Sequence, residues 1–216
     1  MTDRRYLHLD VFTHAPLTGN QLAVFPDGTG LDAAAMQRVA REMNFSETTF
    51  VLPAEAEGTL ARVRIFTPGG ELPMAGHPTI GTTFALALEG RVAAGTPLVT
   101  LGLGVGPTPV AVEWEGDAPR FAWMTQSRPE FGPVIGAGSE LAAALGLDAS
   151  DLASALPAQV VSCGVPFVMI ALASQAAVDR AELDRGRWRS VCQAAGLAEQ
   201  KAFVFAITGE APPTTL

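Results

Sequence analysis

Glu71-Leu72-Pro73-Met74-Ala75-Gly76-His77-Pro78-Thr79-Ile80-Gly81, running on through Thr82-Thr83-Phe84-Ala85-Leu86-Ala87-Leu88, is the stretch on which the fold turns. From Pro78 to Leu88 there is no charge, and Ile80, Phe84, Leu86 and Leu88 alternate with glycine, threonine and alanine. A helix without a polar face is buried on most sides. Pro78 suits the first helical position and Gly90 the position past the end, which sets the expected helix at 78–89. Such a helix needs a sheet curved around it.

The flanking sequence supplies strands. Leu7, Leu9 and Val11 alternate with His8, Asp10 and Phe12, the period of a two-faced strand. Pro16, Gly19 and Asn20 mark a turn into a second strand, Leu22 to Phe25. Asp32 then caps a helix whose Met36, Val39, Ala40 and Met43 share one face, and Asn44 suits its left-handed end. Further strands are expected at Thr48 to Leu52, Leu60 to Phe66, Pro97 to Leu103, Thr108 to Trp114 and Arg120 to Thr125. Gln126 to Gly138, rich in Pro and Gly, reads as a crossing between units. The second unit is expected to hold a helix near Ser139 to Leu145 and strands at Gln159 to Ser162 and Pro166 to Leu172. A helix bearing Trp188, Val191, Cys192 and Ala195 follows, then a strand from Ala202 to Ile207 and a frayed tail from Thr208 to Leu216.

Composition narrows the function. The formal charge of -8, with neither Lys nor Arg gathered into a stripe, argues against a nucleic-acid partner. No run approaches the roughly 18 apolar residues of a membrane-spanning helix. The N-terminus lacks the pattern of a signal peptide. Two cysteines, Cys163 and Cys192, make no disulfide framework, which fits a cytoplasmic protein. Three histidines with no i, i+4 spacing give no metal motif. Gly102-Leu103-Gly104-Val105-Gly106 lacks the following helix that a dinucleotide loop requires, so a glycine-rich hairpin is expected.

Two junctions can carry acid/base chemistry. Glu47 lies between Asn44-Phe45-Ser46 and Thr48-Thr49-Phe50, among hydroxyls and aromatics. Burial there would favour its protonated form and let it hold or release a proton near neutral pH. The alternative is a helix-end carboxylate bonded to nearby backbone. His77 directly precedes Pro78, which pushes its backbone out of the helical region. First-turn N–H groups from Thr79 onward would face the same space and favour an anion. The alternative is a histidine that caps its own helix. His8 and Asp10 share a strand face and read as structural.

These words, together with Leu9-Asp10-Val11-Phe12-Thr13, Gly19-Asn20-Gln21-Leu22-Ala23-Val24 and Arg64-Ile65-Phe66-Thr67-Pro68, resemble the phenazine-biosynthesis PhzF-like family. That family shares the diaminopimelate-epimerase-like fold. The resemblance is dense in the N-terminal part and thins after Arg120, where Ser162-Cys163-Gly164-Val165-Pro166-Phe167 is its best trace. It implies an α+β fold of two lobes, each a mixed, barrel-like sheet around a central helix, here as an N-terminal lobe over 1–122 and a partial lobe over 123–216. It implies cofactor-free proton transfer at carbon on a small, carboxylate-bearing metabolite. Glu47 would move the proton and His77 would bond or polarise the substrate, with Asn20, Ser46, Gly76, His77, Pro78 and Thr79 lining the pocket. Neither cofactor nor metal is implied, and the expected partners are a small molecule and a second copy in a homodimer.

The family's second lobe repeats an Arg-x-Phe-x-Pro strand and an Asp-Pro-Ala-Thr-Gly segment that opens a second central helix. Only the first copy of this logic is present here, so the second lobe is expected to be incomplete and to expose an apolar concavity. A binding or assembly module retaining half the pocket is therefore the competing reading. A racemase using Cys163 and Cys192 is a third, although the positions matching the family's thiol relatives carry no cysteine.

Overall fold

Apolar alternation in the first 25 residues folds β1 (Leu7–Val11) and β2 (Asn20–Phe25) into an antiparallel pair with Leu9 opposite Leu22 and Val11 opposite Asn20. The computed structural model to which they belong describes residues 3–136 and 138–209, in two units divided between Gln126 and Ser127. In the first unit, α1 (Ala33–Met43) leads from β2 to β3 (Glu47–Leu52) and β4 (Ala61–Phe66). A short β5 (Glu71–Leu72) pairs with β4 and precedes α2 (Gly76–Leu88). Then come β6 (Leu98–Leu103), β7 (Gly106–Glu115) and β8 (Ala118–Met124). The sheet order is β1-β2-β3-β4-β6-β7-β8, with parallel pairings at β2–β3 and β4–β6 and antiparallel ones elsewhere.

The helix α2 touches β1, β2 and β3 at one end of this sheet and β8 at the other. A sheet whose first and last strands meet the same helix has to curl around it, which makes a half-barrel of mixed α+β type. The α2 residues from His77 to Thr83 are all buried, as are Ala85 and Leu86. Buried hydroxyls on this helix are satisfied locally: Thr79 Oγ1 donates to Ala75 O at 2.7 Å, Thr83 Oγ1 to Thr79 O at 2.9 Å, and Thr82 Oγ1 pairs with Thr49 Oγ1 at 3.0 Å. Gly81 permits the close approach, because a Cβ there would lie 2.6 Å from Leu22 Cδ2 and 2.8 Å from Val11 Cγ2. On the opposite face of the sheet, α1 packs Met36 and Ala40 against Ala23, Phe25, Phe50 and Phe66.

Both ends of α1 follow the sequence reading. Asp32 accepts from Ala35 N at 2.7 Å, and Asn44 takes the left-handed conformation with φ 53°. The start of α2 does not. It begins at Gly76 with Ala75 as N-cap, so Pro78 is its third residue and His77 is helical. The first-turn N–H groups have no intrahelical acceptor, so a proline costs no hydrogen bond anywhere in that turn. The β6–β7 hairpin forms over Gly104 and Val105, as the glycine run implies.

The second unit has one sheet, ordered β12-β11-β10-β9, made of β9 (Glu130–Ile135), β10 (Ala158–Ser162), β11 (Pro166–Leu172) and β12 (Lys201–Ala206). The helices α3 (Ser139–Ala144), α4 (Gln175–Arg180) and α5 (Arg185–Ala194) enclose a core of Leu141, Leu145, Val168, Ile170, Leu172, Trp188 and Cys192 with this sheet. β9 lies within the stretch that the sequence reads as a crossing between units, where no strand is expected. Gly132 and Pro133 obscure its alternation, and a proline is tolerated there because β9 is an edge strand. The short α4 has too few residues to show a helical period and is not visible in the sequence pattern. Phe131, Val134 and Phe203 stand exposed on this sheet. Most of the expected tail, from Glu210 on, lies outside the described residues. Among the described residues no helix is long and apolar enough to cross a membrane.

Candidate active site

Parallel pairing of β2 with β3 sets the two strand starts side by side, with Asn20 opening β2 and Glu47 opening β3 opposite Leu22. The left-handed Asn44 ends α1 and releases Phe45 and Ser46 to lead the chain into β3. The first turn of α2 reaches the same end of the sheet. His77 Nε2 lies 3.3 Å from Glu47 Oε2. On the other side of the ring, His77 Nδ1 meets Asn20 Nδ2 at 3.1 Å, and Ser46 Oγ donates to Asn20 Oδ1 at 2.9 Å. Ser46, Asn20, His77 and Glu47 are thus joined by side-chain contacts across three elements.

The polar atoms at the end of this row are enclosed. His77 is 8% exposed. Glu47 Oε2 and His77 Nε2 are both shielded from solvent, and although close they do not align as a hydrogen bond, so each lacks a partner. A buried polar atom without a partner costs about 1–3 kcal/mol. Two such atoms facing each other is what a site prepared for a ligand would show. Burial pushes the His77 imidazole below its usual pKa, and the Glu47 carboxylate and the Gln21 backbone only partly oppose that shift. The ring is therefore neutral near pH 7.

The helix terminus adds donors, though not those expected. Because α2 starts at Gly76 and the N-cap carbonyl accepts the first intrahelical bond, the free N–H groups belong to Gly76 and His77, not to Thr79 onward. A Cβ on Gly76 would meet nothing within 4 Å, so open space lies over that turn. Pro78 and Thr79 are buried behind it, and the Thr79 hydroxyl is bonded to Ala75.

His8 stacks on Phe45 with ring centroids 4.7 Å apart, and Asp10 Oδ2 accepts from Leu17 N at 2.7 Å, while Asp10 Oδ1 is buried without a partner. Cys192 is fully buried in the second unit's core and Cys163 is half-buried at a strand end. Among the described residues no group of three or more His, Cys, Asp or Glu gathers as a metal site. The sequence names Asn20 and Ser46 as pocket residues, but it gives no sign that they bond to each other and to His77. That link depends on the parallel register, which no local pattern encodes.

A family model described as phenazine biosynthesis-like protein, PhzC-PhzF, matches residues 9–209. The chain belongs to the PhzC-PhzF family. An uncharacterized isomerase of Mesorhizobium japonicum is 41% identical over 190 residues, covering 87% of this chain and 62% of the relative. The trans-2,3-dihydro-3-hydroxyanthranilate isomerase of Pseudomonas aeruginosa is 39% identical over 194 residues, covering 90% of this chain and 65% of the relative. The chain therefore spans a little under two thirds of the length of both. A solved PhzF-family protein of Bacillus anthracis superposes with a TM-score of 0.79 at 30% identity, covering 96% of this chain and 69% of that one. A hydroxyproline epimerase of Agrobacterium vitis, at 14% identity and a TM-score of 0.61 over 88% of this chain and 56% of that one, shares the fold.

Proposed function

We propose that the chain carries the proton-transfer half-site of a PhzF-like isomerase or epimerase that needs no cofactor and acts on a small, carboxylate-bearing metabolite. Glu47 exchanges a proton with a substrate carbon, and neutral His77 donates a hydrogen bond to a substrate oxygen. The free N–H groups of Gly76 and His77 at the positive end of α2 receive the substrate carboxylate. Pro78 and Thr79 back this wall. The observation that carries the reading is the pair of enclosed, unpartnered atoms, Glu47 Oε2 and His77 Nε2, at 3.3 Å. Curated relatives named as isomerases support the reaction class. The same reading places the protein in the cytoplasm as a homodimer, which light scattering would measure.

The test uses trans-2,3-dihydro-3-hydroxyanthranilate as probe in heavy water. The wild-type chain is expected to wash deuterium into the probe, and Glu47→Gln to abolish this while keeping the wild-type melting temperature. Wash-in that survives in Glu47→Gln would remove Glu47 from the proton path. Binding of the probe by the wild type without wash-in would favour the binding-module reading instead.

A further inference from the structure

We propose that Asn20, held in place by Ser46, is a positioning residue that fixes His77 as its Nε2–H tautomer. The inference deepens the proposed reading of the site and rests on it for its functional meaning. Its structural content stands on three contacts.

An amide nitrogen can only donate, and an amide oxygen can only accept. The Ser46 hydroxyl has one hydrogen and two acceptors in reach, Asn20 Oδ1 at 2.9 Å and Gln21 O at 3.4 Å. The shorter contact wins, so the hydroxyl hydrogen goes to Asn20 Oδ1. This orients the amide with Nδ2 toward the imidazole, 3.1 Å from His77 Nδ1. Nδ1 must then offer its lone pair. A neutral ring has a single N–H, and it is left on Nε2, the nitrogen that faces Glu47.

Had Ser46 bonded the Gln21 carbonyl instead, it would accept from Asn20 Nδ2. The amide would turn over, Oδ1 would face the ring, and the proton would sit on Nδ1. Nε2 would then be an acceptor, and the imidazole could not donate to a substrate oxygen from that nitrogen. Which nitrogen carries the proton is thus decided two residues away from the reacting atoms. Among the described residues, Glu47 is the charged group facing the ring, the Gln21 backbone also bonds it, and Asn20 and Ser46 are neutral.

The experiment is a long-range proton–nitrogen correlation on protein labelled with 15N histidine. The chain has three histidines, and His8→Asn and His14→Asn variants assign the other two. The expected result for His77 is a protonated, pyrrole-type Nε2 and an unprotonated, pyridine-type Nδ1. Asn20→Asp puts an acceptor on both amide positions and is expected to bring a proton onto Nδ1. Ser46→Ala frees the amide to turn and is expected to average the two nitrogen shifts. Unchanged His8 and His14 resonances report that each variant is folded. A proton on Nδ1 in the wild type would overturn the proposal, as would a pyridine-type Nδ1 that persists in both variants. No substrate enters this measurement. A failed tautomer assignment is therefore distinguishable from a failed role for Glu47, which the deuterium experiment reads.

Discussion

Replacing Gly81 by alanine should destabilise the first unit, against the usual benefit of alanine in a helix. The added Cβ would sit 2.6 Å from Leu22 Cδ2 and 2.8 Å from Val11 Cγ2, both well inside van der Waals contact. Leu22 could in principle rotate its terminal methyl away, but it is 0% exposed and has nowhere to put it. Val11 is stiffer still: its Cγ2 is one bond from Cβ, and its rotamer is restricted by branching. Overpacking of this kind costs about 1–3 kcal/mol. Helix propensity returns about 1 kcal/mol for Gly to Ala. With both contacts under 3.0 Å the overpacking cost falls in the upper part of its range, about 2–3 kcal/mol. The expected net loss is then about 1–2 kcal/mol, which at a urea slope of about 2 kcal/mol/M lowers the midpoint by about 0.5–1 M. Gly76→Ala is the control on the same helix, since its Cβ meets nothing within 4 Å. It should leave stability within about 0.5 kcal/mol while crowding the site and lowering turnover. A Gly81→Ala midpoint at or above the wild-type value would refute the close helix–sheet approach.

Thr82→Val should cost about 1–3 kcal/mol, because it leaves the buried Thr49 hydroxyl without its partner at 3.0 Å. Thr49→Val combined with Thr82→Val should recover most of that loss, which a double-mutant cycle in urea would measure. His77 contributes a pH dependence of known sign. Its folded pKa lies below the unfolded value of about 6.5, so below that pH the unfolded chain binds the proton first. The wild-type melting temperature should therefore fall, relative to His77→Asn, as pH drops below about 6.5 toward the lower folded pKa. Parallel pH curves for the two proteins would show that His77 is not buried as a neutral base.

Residues whose job is local were legible in the sequence. Asp32 and Asn44 act on atoms within four positions of themselves, and both ends of α1 could be read from them. The buried character of α2 was legible because its burial is written in composition, an absence of charge over two turns and more. Its start was not, because Pro78 is compatible with any position in the first turn. β9 was hidden by Gly132 and Pro133, which an edge strand accepts and a periodicity search rejects. The site was half legible. Glu47 and His77 stand in recognisable junctions, and the family resemblance pointed to them. The order of contacts from Ser46 through Asn20 to His77 required the pairing of β2 with β3, a fact about residues more than twenty positions apart.

The enclosure of α2 also bears on how the first unit assembles during synthesis. The helix packs against β1 and β2, already made when it emerges, and against β8, which ends 36 residues after Leu88, at Met124. With almost no polar face and a glycine in its middle, it has little reason to persist alone in water. Its last wall arrives only when β6, β7 and β8 have been added in turn. Closure is therefore a long-range event, and folding of this unit should be limited by chain topology rather than by helix formation. Until Met124 has been made, the nascent chain carries an apolar helix with one side open. That interval is where a ribosome-bound chaperone would find its client.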